Sequence, residues 1–81
     1  LEENDNYVKI YPNPTKGIVN IVCDNMKDIK ILSVTGQVLG YRDVNDDNVI
    51  IDMHDYPYGM YVIVISKDDG TLIRRNIVYS K

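Results

Sequence analysis

Tryptophan and phenylalanine are absent from this chain, cysteine and histidine occur once each, and positive charge is scarce. Each shortage removes a class of function. The single cysteine, Cys23, excludes an internal disulfide, and a thiol nucleophile needs an imidazole beside it. The one histidine, His54, sits in the loop-like stretch 52–57, at no spacing that pairs it with Cys23. Cys23 lies on an alternating apolar run and reads as a small buried hydrophobe. Without tryptophan, a sugar-stacking platform would rest on the seven tyrosines alone. Nine Lys and Arg against twelve Asp and Glu give a net charge of −3 and a pI near 4.8. Phosphate binding needs a basic stripe, and Arg74-Arg75 is the only adjacent basic pair, so no nucleic-acid partner is expected. The longest apolar run, Met60 to Ile65, is far short of the ~20 residues a membrane helix needs, and no membrane insertion is expected.

The acidic residues are plentiful but poorly spaced for chemistry. Asp43, Asp46, Asp47 and Asn48 offer oxygen ligands, yet they lack the alternating acids, the sixth-position glycine and the terminal glutamate of a calcium loop. Asp52 and Asp55 could pair as acid and base, but 81 residues leave no second domain to form a sugar-sized cleft. Neither a metal, a cofactor nor an enzymatic activity is expected. The length supports one domain that buries only about 60–65% of its unfolded surface.

What the chain has is β pattern and turn chemistry. From Tyr7 onward apolar residues recur with period two, separated by Gly, Asp, Asn and Pro. This predicts about seven short strands, at 7–11, 18–23, 29–33, 37–41, 49–52, 60–66 and 71–79. Val19, Ile21 and Cys23 should face a core, with Ile18, Asn20 and Val22 facing out; Ile29 and Ile31 should face in and Lys30 out. The sixth strand is apolar on both faces, Tyr61, Ile63 and Ile65 against Met60, Val62 and Val64, as suits a strand that is central or covered by a partner. Thr35-Gly36 and Asp68-Asp69-Gly70 are hairpin turns, residues 43–48 read as a hydrophilic loop, and Tyr56-Pro57-Tyr58-Gly59 as a corner. Residues 1–6, polar and acidic, read as a linker from a larger upstream protein, and 7–81 as the folded domain.

The most distinctive segment is Tyr11-Pro12-Asn13-Pro14-Thr15-Lys16-Gly17, a rigid corner in which each residue before a proline is held extended. It is followed in order by Val34-Thr35-Gly36-Gln37-Val38, by Gly59-Met60-Tyr61-Val62-Ile63 and by a basic final strand. This series resembles the type A C-terminal sorting domain of the type IX secretion system, the Por secretion family, across residues 8–81. The resemblance implies an immunoglobulin-like antiparallel β-sandwich at the C-terminus of secreted proteins of Bacteroidetes-type bacteria. It also implies a role as an address: the upstream cargo passes through the periplasm, the domain directs it through an outer-membrane translocon, and a sortase-like cysteine peptidase removes the domain and links the cargo to the surface.

Carried over residue by residue, Pro12, Asn13, Pro14 and Gly17 match the first motif, Gly36 the second, and Gly59, Met60 and Tyr61 the third. Arg74, Arg75 and Lys81 are candidate contacts for the translocon or its shuttle proteins. Equally, basic side chains on a terminal strand can keep an edge soluble and unpaired. Ser33 stands where many relatives have Asp. A carbohydrate-binding module and a plain structural spacer on a secreted enzyme are the alternative readings.

Overall fold

Period-two burial builds five strands in the computed structural model, which describes residues 7–81: β1 (Lys9–Tyr11), β2 (Ile18–Leu32), β3 (Val38–Asp52), β4 (Gly59–Lys67) and β5 (Leu72–Tyr79). The segment 1–6 lies outside the described residues. There is no helix among the described residues, and every named strand pairs antiparallel with its neighbours. The order is β1-β2-β4-β5, with β3 on β2. Because β2 is long, β1 pairs only with its first part, through Lys9↔Val22 and Tyr11↔Asn20, and β4 only with its second, from Met26↔Lys67 to Leu32↔Val62.

The expected seven strands are therefore five. Residues 18–23 and 29–33 belong to one continuous strand, and 37–41 and 49–52 to another, so 43–48 is paired strand and not a loop. The ribbon survives its polar middle because the irregularity is absorbed locally. The register shifts between Val22 and Met26 and again before Asp28, and Asn25 and Asn45 take positive φ of 59° and 51°. Asn tolerates that conformation better than most residues, and a bulge bends a strand without ending it.

Past the bulge the inward set resumes, so the β2–β3 ribbon doubles over. Val19, Ile21 and Cys23 from its first half and Ile29 and Ile31 from its second join Val49, Ile51, Tyr61, Ile63, Ile65, Ile73 and Ile77 in one buried cluster. All seven residues expected to anchor the core (Val19, Ile21, Ile29, Ile31, Tyr61, Ile63, Ile65) are buried. The result is a small β-sandwich made from one folded sheet. Each fully buried Ile or Val contributes roughly 1.5–3 kcal/mol. As expected for a strand apolar on both faces, β4 is interior to the sheet, between β2 and β5, and Val64 is buried on its outer face. Lys30, expected to reach solvent, is half-buried beside Tyr41, its ammonium 6.0 Å from the ring centroid.

Candidate functional site

The fold gives the molecule two ends. At one, Asn25 accepts the N–H of Asp68 on its carbonyl (3.0 Å) and donates its own N–H to Asp47 Oδ1 (2.9 Å), tying the ribbon's bend to the β4–β5 turn. Asp24, Asp46, Asp47, Asp68 and Asp69 gather there. Beneath them Lys67 is buried, its ammonium 3.2 Å from Asp24, and Tyr7 and Cys23 line a hollow at the same end.

The three quoted motifs lie at the other end. Thr15, wholly buried, forms a parallel bridge with Tyr79, its N–H donating to the Val78 carbonyl (2.8 Å) and its carbonyl accepting the N–H of Ser80 (2.9 Å). Its hydroxyl locks the corner by donating to the Ile18 carbonyl (2.6 Å) and accepting the N–H of Gly17 (3.0 Å). The side-chain amide of Asn13 donates to the Asn76 carbonyl and accepts the N–H of Val78, both at 3.0 Å. Both prolines of this corner follow cis peptide bonds. Tyr79 in turn pairs with Gly59 at the start of β4. The β2–β3 turn lies just past Leu32↔Val62, on the side of the ladder where Gly59 and Tyr79 sit, which brings Gly36 to the same pole.

Each motif residue has a local task. Gly36 takes φ +97° in the turn, a conformation costly for other residues. Ser33 fills the position where Asp is usual: its hydroxyl accepts the N–H of Gln37 (3.1 Å) and contacts the Thr35 hydroxyl (2.9 Å), as a carboxylate there could. Gly17 gives its carbonyl to the N–H of Met53 (2.7 Å), and a Cβ at this position would run into the His54 ring. Tyr61 is buried and donates its hydroxyl to the Pro57 carbonyl, fixing the loop that leads into Gly59. Met60 points outward, half exposed.

Sequence reasoning missed the rest of this pole. His54 Nδ1 lies 2.7 Å from Asp52 Oδ1, which also accepts the His54 N–H (2.9 Å). These contacts, the backbone N–H first, hold the Asp52 carboxyl below its ordinary range. Tyr79 packs at a tilt against Tyr58, ring centroids 4.9 Å apart, and meets His54 edge-on at 6.4 Å, and burial pushes its phenol up. Pro12, Pro14, Lys16, Gly17, Ile18 and His54 help to line a cavity of about 500 Å³ on the surface of the pole. Pro12, Pro14, Thr15, Lys16 and Gly17 were signalled by the corner motif, whereas nothing in the sequence pointed to His54 or Asp52 at this pole.

The candidate basic contacts do not form one patch. Lys81 is exposed at the motif pole, just past Ser80. Arg74 and Arg75 sit mid-strand opposite Val64 and Ile63, five and four residues back from Tyr79. Arg74 is exposed, whereas Arg75 is half-buried and donates to the Arg74 carbonyl (2.8 Å). Cys23 is far from His54, at the opposite end, and burial pushes its thiol up, the reverse of what a nucleophile needs.

Comparison with known proteins gives the chain a family. The family described as "Secretion system C-terminal sorting domain" matches residues 9–79. Beta-agarase D of Zobellia galactanivorans is 27% identical over 74 residues, covering 91% of this chain and 15% of the agarase. Ulvan lyase NLR42 of Nonlabens ulvanivorans is 27% identical over 74 residues, covering 88% of this chain and 14% of the lyase. The chain thus spans about 15% of the length of the curated relatives it matches. With residues 9–79 matched, nearly the whole of its described part, this chain belongs to the secretion system C-terminal sorting domain family.

Proposed function

We propose that the domain is the export address of a type IX secretion cargo, and that the translocon or a shuttle protein reads it at the motif pole. The observation that carries this reading is the convergence of Pro12–Gly17, Gly36, Gly59 and Tyr79 on one end, while Tyr7, through which upstream chain connects, lies at the other. A cargo attached at Tyr7 leaves the motif pole unobstructed. In this reading Lys16 and Lys81 supply cationic contacts at the pole and Arg74 one on the outer face of β5. The cargo crosses the periplasm, and a sortase-like cysteine peptidase outside this chain removes the domain at the surface. The domain contributes no catalysis of its own, in keeping with the burial of Cys23 and its separation from His54.

The test is a fusion of the domain to a periplasm-directed reporter in a bacterium that has the secretion system. Surface display is expected, with no retention on polysaccharide beads; retention on the beads without display would favour a carbohydrate-binding module, and neither a spacer. Deleting residues 77–81 would not separate recognition from folding, because Ile77 and Tyr79 belong to the core. Arg74→Ala and removal of Lys81 alone leave the core intact. Each is expected to lower export several-fold while the circular dichroism spectrum stays unchanged.

A further inference from the structure

The outer side of β5 is the edge of the sheet, and a sheet edge presents unpaired N–H and C=O groups to any other strand. Here that edge is already occupied from Asn76 to Ser80. Thr15 makes two ladder bonds to it with its backbone, to Val78 and Ser80. Asn13 makes the next two with its side chain: Nδ2 to the Asn76 carbonyl and Oδ1 from the Val78 N–H, both 3.0 Å. A primary amide carries one carbonyl and an NH₂, so it reproduces the donor and acceptor of a peptide group. The residues beside it, Pro12 and Pro14, have no N–H, so the corner's own outward side is a poor template for a further strand. One step along the edge, the Arg75 guanidinium covers the Arg74 carbonyl (2.8 Å).

We infer that the Asn13 side chain is an edge cap, a surrogate strand residue that closes β5 against addition of another strand, the first competitor being β5 of a second copy of this chain. This does not depend on the export reading, and it is tested without secretion. The experiment compares wild type, Asn13→Leu and Asn13→Asp by residue-resolved amide exchange and by sedimentation over a concentration series. In Asn13→Leu, exchange of the Val78 N–H should accelerate about tenfold, as expected for loss of a hydrogen bond at a local opening. Concentration-dependent association should appear that the wild type lacks. Asn13→Asp keeps the acceptor for Val78 and loses the donor for Asn76. It should therefore hold the Val78 amide near wild-type protection, and it serves as the folded control if the leucine variant does not fold. Unchanged Val78 exchange in Asn13→Leu would overturn the cap, and faster exchange in a strictly monomeric variant would overturn its role against strand addition. Rapid Val78 exchange in a folded Asn13→Asp protein would equally remove the assigned Oδ1 contact.

Discussion

Tyr41 shows how a single exposed side chain can be tuned by its strand neighbours. Its hydroxyl donates to Asp43 Oδ1 at 2.9 Å, with Asp28 Oδ2 further off at 3.4 Å. The hydrogen bond to Asp43, then partial desolvation and the charge of Asp28, push the phenol up to about 12. Because the folded value lies above the unfolded one near 10, the stabilisation this bond gives is complete below pH 10 and disappears as pH rises through about 12. A difference titration at 295 nm between wild type and Tyr41→Phe should show the missing ionisation near pH 12; a midpoint near 10 would mean that the bond to Asp43 does not persist in solution. Asp28 is the less comfortable partner. It pairs directly opposite Asp43 and buries Oδ1 with no hydrogen-bond partner among the described residues. Like charges opposite one another oppose pairing, and a buried charge without full compensation is costly. Asp28→Asn should thus be neutral or stabilising by roughly 0.5–1 kcal/mol in urea denaturation, whereas a clear loss of stability would mean that the carboxylate has a favourable partner in solution.

Elements were legible wherever burial on one face stamped the sequence with period two. The inward residues of β5 and of the first part of β2 alternate, β4 carries apolar residues on both faces as an interior strand does, and the hairpin glycines sit where turns form. The middle of the β2–β3 ribbon was not legible. Residues 43–48 lie within β3, with Asp43, Asp46 and Asn48 in register with β2, while their side chains stay largely in water, so no apolar alternation marks them. The pole was legible only in its motif residues, since nothing in local pattern says that His54 and Tyr58 will meet Tyr79, a contact made by the long-range closure of the corner onto β5. Two substitutions test the elements. Ile63→Ala, at a wholly buried position of interior β4, should cost roughly 2–5 kcal/mol through the cavity it leaves, enough to unfold much of so small a domain; a melting curve like that of the wild type would remove Ile63 from the core. Ser33→Ala, which leaves the Gln37 N–H without its side-chain acceptor, should cost about 0.5–1.5 kcal/mol. Ser33→Asp restores an acceptor and should recover most of that loss.

At the scale of the whole molecule the chain has a polarity. Asp24, Asp46, Asp47, Asp68 and Asp69 make one end acidic, with Tyr7 beside it, and the three motif segments lie at the other end with Lys16, Tyr58, Met60 and Lys81 exposed. The same contacts that assemble the motif pole also finish the fold, because Asn13 and Thr15 close the edge of the last strand. If that pole is what the translocon reads, as proposed, recognition requires that β5 has docked first. In the proposed reading export depends on the motif pole, together with Arg74 on the outer face of β5, and not on the acidic end. The most direct test compares two reporter fusions, each verified as folded by circular dichroism. One carries Lys16→Ala/Tyr58→Ala at the motif pole, and the other Asp46→Asn/Asp68→Asn at the opposite end. The first reporter should remain in the periplasm while the second reaches the surface at wild-type level. Normal display of the first, or retention of the second alone, would show that the motif pole is not the surface that export requires.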